Sequence, residues 1–412
     1  IMELLNLKEK FSLYQYNLVC RRYFITIQYV FYKLIGLSPW VVDTSEILSK
    51  SLNHIGEINL CEISYVGSYY NLCIFFFIGL TNIYFELNSS LPHAQSDSIL
   101  TPAFRARLKF IAILCINFIP LIYICRQKIL IAVINRLKTT DQKLKKCAKY
   151  LSNKNNKHIY FIFMVKFLCS ATSTSILLYH SNFSFVTLLL RIYPDLIGGW
   201  VMIQFSTLLK VINKRFKSIN TTITKLENIV NDPNQIKVLS EKEVSFIHET
   251  EIIKHAYVGL CEVCDNVVDF YGLPLLISII HYLTINIIRL YFIILSVLSI
   301  ASYDRVIYIC NGINFSLASF IFLILTSSVT AIMKESKKTL KVISLLVNRC
   351  PVDSKIEKQL TKFSSDISHF QVEFTACDVI PLDRRLLLMI VGTIASYLVI
   401  VVQFRINSPS NE

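Results

Sequence analysis

Seven long apolar stretches with few or no charges limit what this chain can become. They fall at 64–86, 108–126, 159–180, 184–210, 273–299, 307–333 and 386–404. A helix rises about 1.5 Å per residue, so each stretch matches the roughly 30 Å hydrocarbon core of a bilayer. Lipid offers no water to backbone amides, so a spanning segment must satisfy them internally. The runs are continuous rather than alternating, which points to helices. With 53% hydrophobic and 17% charged residues, the chain is poorer in charge than a soluble protein at about 25%. The expected fold class is therefore all-α, a polytopic membrane protein with seven transmembrane helices.

The basic residues set an orientation. Counting Arg126 and Lys210 as edge residues, 34 of the 42 Lys and Arg fall in 1–63, 127–158, 211–272 and 334–385. Only four fall in 87–107, 181–183, 300–306 and 405–412. Positive loops stay inside, so the N-terminus is expected to be cytosolic and the C-terminus extracellular. The net charge of +14 is confined to connecting segments, and no nucleic-acid partner is expected. Lys109, Lys166, Arg191 and Arg289 lie within spans; Lys109 and Lys166 sit near span ends, where snorkelling would bring their amines to water.

Taken in order, residues 1–63 form a cytosolic region. Its aromatic-rich piece, Phe11 to Leu37, is broken by Arg21, Arg22 and Lys33. It is too polar to span and reads as an interfacial helix on the inner leaflet, in contact with membrane lipid. Gly36-Leu37-Ser38-Pro39 ends it. Residues 64–333 hold the first six spans. Span four continues its apolar periodicity through Phe216, Ile219, Ile223 and Leu226. A capping box at Ser240 and Glu243 starts a helix that feeds span five, and span six runs on through Leu340 and Ile343. Residues 334–385 end in a further helix, about 354–379, before Pro381. These cytosolic extensions predict an anchor bundle, because an amphipathic stripe outside lipid must bury against something.

Residues 386–404 read LLLMIVGTIASYLVIVVQF, followed by a short tail at 405–412. At helical spacing Ser396, Ile400 and Gln403 share one stripe, and Tyr397, Val401 and Phe404 share the next. A polar group near mid-membrane, a band of β-branched carbons and a terminal amide and ring suit a water-filled path with an apolar constriction. Arg405, beside the proposed outer mouth, disfavours cation flow unless it points aside. Ser396-Tyr397, five apolar residues, then Gln403-Phe404 resembles the C-terminal signature of insect gustatory receptors, Thr-Tyr, five hydrophobics, Gln-Phe. Ser396 replaces Thr and keeps the hydroxyl. A similar Gly-Leu-x-Pro often precedes the first span in that family.

The resemblance implies a ligand-gated, non-selective cation channel in the plasma membrane, assembled as a homotetramer or as a heteromer with related receptors. It implies an extracellular-facing pocket among spans two to six for a small-molecule tastant, and a pore lined by span seven. In this chain the pore and gate candidates are Ser396, Tyr397, Ile400, Val401, Gln403 and Phe404. Ligand candidates are the polar and aromatic residues in the outer halves of the spans: Tyr179, Arg191, Tyr193, Asp195, Trp200, Arg289, Tyr291, Asn311, Asn314 and Phe315. Arg191 and Asp195, four apart, are expected to pair on one helix face. His281 and Asn286 lie deeper. The candidates are mixed but lean aromatic, which favours bitter or other plant compounds over sugars.

Other constellations carry less. Cys261 and Cys264, with His248 and His255, have unusual spacing for zinc and would not converge on one helix, so no metal and no cofactor are expected. Asp304-Arg305-Val306 imitates a G-protein-coupled receptor motif on the wrong side of the membrane. A metabotropic seven-helix receptor without its own pore is the alternative reading. Two related halves, as in a transporter, are not evident. No catalytic set emerges.

Overall fold

A computed structural model describes residues 23–24, 26–42, 61–89, 102–145, 157–180, 185–230, 239–297, 305–348 and 355–407. A helix at 26–34 (α1) leads to β1 (Trp40–Val42), which pairs antiparallel with β2 (Cys61–Ile63). Then come α2 (Tyr65–Ser89), α3 (Pro102–Lys145), α4 (Lys157–His180) and α5 (Phe185–Val230). They are followed by α6 (Leu239–Val297), α7 (Arg305–Val347) and α8 (Lys355–Ser368). The hairpin β3 (Thr375–Ala376) and β4 (Ile380–Pro381) precedes α9 (Arg384–Asn407). Among the described residues, α2 to α7 contain stretches long and apolar enough to cross a membrane. The seventh expected span coincides with α9.

The centre of the bundle is α5, packed on α6 and α7. Phe205, Leu209, Ile212, Phe216 and Ile219 on α5 are fully buried, the helical spacing that made this extension legible. Around it α3 packs on α6, α2 on α3 and α4 on α7. One end of the bundle carries α8, the hairpin and the long extensions; it is called the anchor end below, and the opposite end the free end. Apolar residues of α8 face the core at Ile356, Leu360, Phe363 and Ile367.

Two expectations change. The loop expected at 127–158 is largely helix: α3 continues to Lys145, burying Leu130, Val133, Leu137 and Leu144 on one stripe beneath its basic face. The helix expected at 354–379 stops at Ser368. Cys377 and Asp378 adopt φ of 52° and 57°, a left-handed conformation that no right-handed helix accommodates. Val379 N donates to Ala376 O at 3.1 Å and closes a tight hairpin turn instead.

The described part of the N-terminal amphipathic segment, α1, packs one face into the bundle. Tyr32 and Leu37 are buried, and the Phe31 ring lies 4.7 Å from that of Trp200. Tyr23, Ile27, Val30 and Leu34 form an exposed apolar stripe on the other face. Gly36, at φ +84°, reverses the chain as a C-cap. Gln204 Nε2 then donates to Leu37 O at 3.2 Å, fixing the turn to α5. The N-terminal half of that segment, from Phe11, lies outside the described residues.

Candidate functional site

The free end gathers charge inside the bundle. Asp195 on α5 receives the Arg289 guanidinium and, at 3.0 Å, His281 Nε2, both from α6. Tyr282 Oη donates to the Asp195 backbone carbonyl at 2.7 Å. Burying a lone carboxylate is costly unless it is paired and hydrogen-bonded. His281 and Arg289 lie two helical turns apart on α6, a spacing that aims both at one point on α5.

A third cation lies beside this pair. Lys166 on α4 is buried, at 4% exposure. A Cβ placed on Gly199 would fall 2.3 Å from Tyr282 Oη and 3.0 Å from Lys166 Nζ. Gly199 therefore lets both side chains press against α5, one helical turn from Asp195. The snorkelling expected of Lys166 does not occur, because its side chain turns into the bundle at the middle of α4.

Within the spans, buried polar atoms without a hydrogen-bond partner among the described residues include both side-chain atoms of Asn117, Tyr193 Oη, Trp200 Nε1, His281 Nδ1 and Asn286 Oδ1. With its proton on Nε2, His281 presents an acceptor at Nδ1. Such groups mark places where a ligand or water completes the bonding.

The other expected pocket residues divide. Asn314 Nδ2 donates to Ser173 Oγ at 2.8 Å and ties α7 to α4. Tyr193, Tyr291, Asn311 and Phe315 are half-buried. Trp200 is buried among Phe31, Tyr32 and Phe163, so its ring is committed to holding α1. Tyr179 is 93% exposed. Among the described residues Asp195 takes its partners from α6; the Arg191 expected to pair with it on its own helix has its side chain outside the described residues. The missed members, Lys166 and Tyr282, had one signal in the sequence: three isolated charges in three spans, each needing a partner.

At the base of α9, Asp383 caps the helix. Arg385 N donates to Asp383 Oδ1 at 2.8 Å, and the Arg385 guanidinium folds back on the same carboxylate. That pairing holds the Asp383 carboxyl below its usual range. Leu386 and Ile390 are buried against the bundle. Beyond them no described side chain from 391 to 400 is buried, and Ser396, Tyr397, Ile400 and Gln403 are exposed. The side chains of Val401 and Phe404 lie outside the described residues. Beside the hairpin, Asp265, Asp269, Glu373 and Asp378 line an acidic cup of about 550 Å³.

A family profile described as 7tm Chemosensory receptor matches residues 25–408. The chain belongs to this family. The receptor is 34% identical over 79 residues to putative gustatory receptor 28b of Drosophila melanogaster, covering 19% of this chain and 17% of that one. It is 27% identical over 261 residues to putative gustatory receptor 28a of the same fly, covering 60% and 54%. These matches span from a sixth to about half of the relatives' length. Its fold matches the olfactory receptor OR5 of Machilis hrabei, with a TM-score of 0.64, 11% identity and coverage of 94% of this chain and 99% of that one. The same receptor in complex with eugenol matches with a TM-score of 0.59, 11% identity and the same coverage. The receptor is thus a multi-pass membrane protein of a chemosensory, non-enzymatic family.

Proposed function

We propose that the receptor is a subunit of a homotetrameric, ligand-gated, non-selective cation channel, opened by a small extracellular tastant. One observation carries this reading: α9 is rooted at its base and uncovered above Ile390, while still carrying Ser396, Tyr397 and Gln403. A lipid-facing helix has no use for an exposed amide and hydroxyls. Copies meeting around an axis would cover its apolar side chains and turn the polar stripe toward water. The basic loops support a cytosolic anchor end and an extracellular free end. The acidic cup would then face the cytosol and favour cations over anions.

In this reading the tastant binds among α3 to α7 at the free end, where buried polar atoms lack partners. A bitter or other plant compound fits its aromatic and amide lining better than a sugar; the OR5 complex holds eugenol, a small aromatic molecule. The empty receptor keeps its pore closed at the apolar band around Ile400, Val401 and Phe404. Binding favours the arrangement in which these side chains part and Gln403 meets hydrated ions.

Whole-cell currents from the chain expressed alone, against bitter alkaloids and sugars, test the reading. Gln403→Ala should change ion permeation and Phe404→Ala should raise the basal leak. Currents identical to the parent in both variants would remove the pore from α9. An epitope after residue 407 should stain intact cells; a hidden epitope with no current would favour the metabotropic alternative.

A further inference from the structure

The free-end site is unbalanced in charge, and the imbalance says what it binds. The Asp195 carboxylate is held by Arg289 and His281, and Tyr282 Oη donates to its backbone carbonyl. Lys166, on the neighbouring helix, reaches the same part of α5. Among the described residues its ammonium donates no hydrogen bond, and the carboxylate that attracts it, Asp195, is already held by Arg289. With His281 neutral, two cations share one carboxylate, and a net positive charge sits in a low-dielectric interior. A buried cation that shares its counter-charge with a second cation is incompletely compensated, which is costly.

The remaining unfilled groups add detail. Asn286 Oδ1 and His281 Nδ1 are buried acceptors without donors. Asp195 keeps 33% of its side-chain surface open, although Pro194, Ile197, Gly198 and Gly199 beside it are buried. The network is therefore reachable from outside the packed core. A ligand that completes it needs an anionic acceptor for Lys166 and a hydroxyl donor for the open acceptors. We propose that the receptor's ligands are small hydroxylated carboxylates, with the carboxylate seated on Lys166 and a hydroxyl donating to Asn286 or His281. This assignment rests on the reading of the free end as the ligand site.

Matched probes separate charge from shape. 4-Hydroxybenzoate, 4-hydroxybenzamide and benzoate have nearly the same size, and at pH 7.4 only the amide is uncharged. Their effect on the melting temperature of the purified full-length receptor in detergent reads binding without requiring a channel. 4-Hydroxybenzoate should stabilise the parent most, benzoate less, and the amide not at all. Lys166→Met should weaken the carboxylate response at least tenfold, and Lys166→Arg should keep most of it. The ligand-free Lys166→Met protein should melt no lower than the parent, because Arg289 and His281 still hold Asp195 and the substitution removes the surplus cation; this guards against simple misfolding. Equal stabilisation by acid and amide, or a carboxylate response untouched in Lys166→Met, overturns the assignment. So does a ligand-free Lys166→Met protein that melts far below the parent, since the ammonium would then already be fully compensated. Currents opened only by uncharged compounds would overturn the ligand class and leave the channel standing. Carboxylate binding that depends on Lys166 without any current would do the reverse.

Discussion

Two buried asparagines, Asn220 at the anchor end and Asn117 within the spans, are held in opposite ways. At the anchor end Asn220 Nδ2 donates to both the backbone carbonyl and a carboxylate oxygen of Glu335, at 2.9 and 3.0 Å. Its Oδ1 accepts from Thr339 at 2.6 Å. Nearby, Arg215 grips Asp141 with two parallel bonds at 2.8 and 2.5 Å. Within the spans Asn117, equally buried, has neither side-chain atom satisfied among the described residues. Satisfied networks fix one arrangement. The contrast marks Asn220 as a fixed tie between α5 and α7, and Asn117 as a side chain that the described packing leaves uncommitted.

The most disruptive substitution is Arg289→Met, which leaves the half-buried Asp195 carboxylate with His281 and the attraction of Lys166. The cost should be about 2–3 kcal/mol, read as a drop in melting temperature of the detergent-solubilised protein. A variant that melts with the parent would mean the free end is not held by this pair. Next comes Asn220→Ala at the anchor end. It removes three hydrogen bonds, while Thr339 Oγ1 keeps its bond to Glu335 O at 3.2 Å, and should cost about 1–2 kcal/mol. Asn117→Leu, a similar volume within the spans, should cost nothing or gain about 1 kcal/mol, since it removes two unpaired groups. A loss as large as that of Asn220→Ala would erase the distinction between the two asparagines.

The smallest effect concerns pH. Lys254 on α6 pairs with Asp366 on α8, and its hydrogen bond holds the Asp366 carboxyl below the usual 3.8. A lowered folded-state pKa gives stability that is present above the unfolded value and lost as pH falls below it. Comparing melting temperatures from pH 5 down to 3, the parent should lose slightly more than Lys254→Met. Identical slopes would detach α8 from this contact.

The spans were legible because lipid demands long apolar runs, and the extensions of α5 and α7 because their apolar residues keep a helical period. The extension of α3 was hidden: its stripe of Leu130, Val133 and Leu137 is interleaved with Arg126, Lys128 and Arg136, which read as a charged loop. The hairpin at 375–381 was missed because neither Cys377 nor Asp378 announces a left-handed turn as glycine would. At the site, Asp195 and Arg289 stood out as charges within spans. Their pairing joins residues 94 apart, and only tertiary packing brings Arg289 to Asp195. Lys166 was read from its place in the sequence as a snorkelling residue, whereas the packing of α4 turns it inward.

The length of α6 has a mechanical consequence. At 59 residues it is about 88 Å long, nearly three times the hydrocarbon thickness, and one rod carries Lys254 near one end and Arg289 near the other. A tilt of about 3° pivoting on Lys254, about 65 Å from Val297, would sweep that tip by about 3.4 Å. Angstrom-scale displacements at the free end thus require almost no rearrangement among the side chains packed at the anchor end.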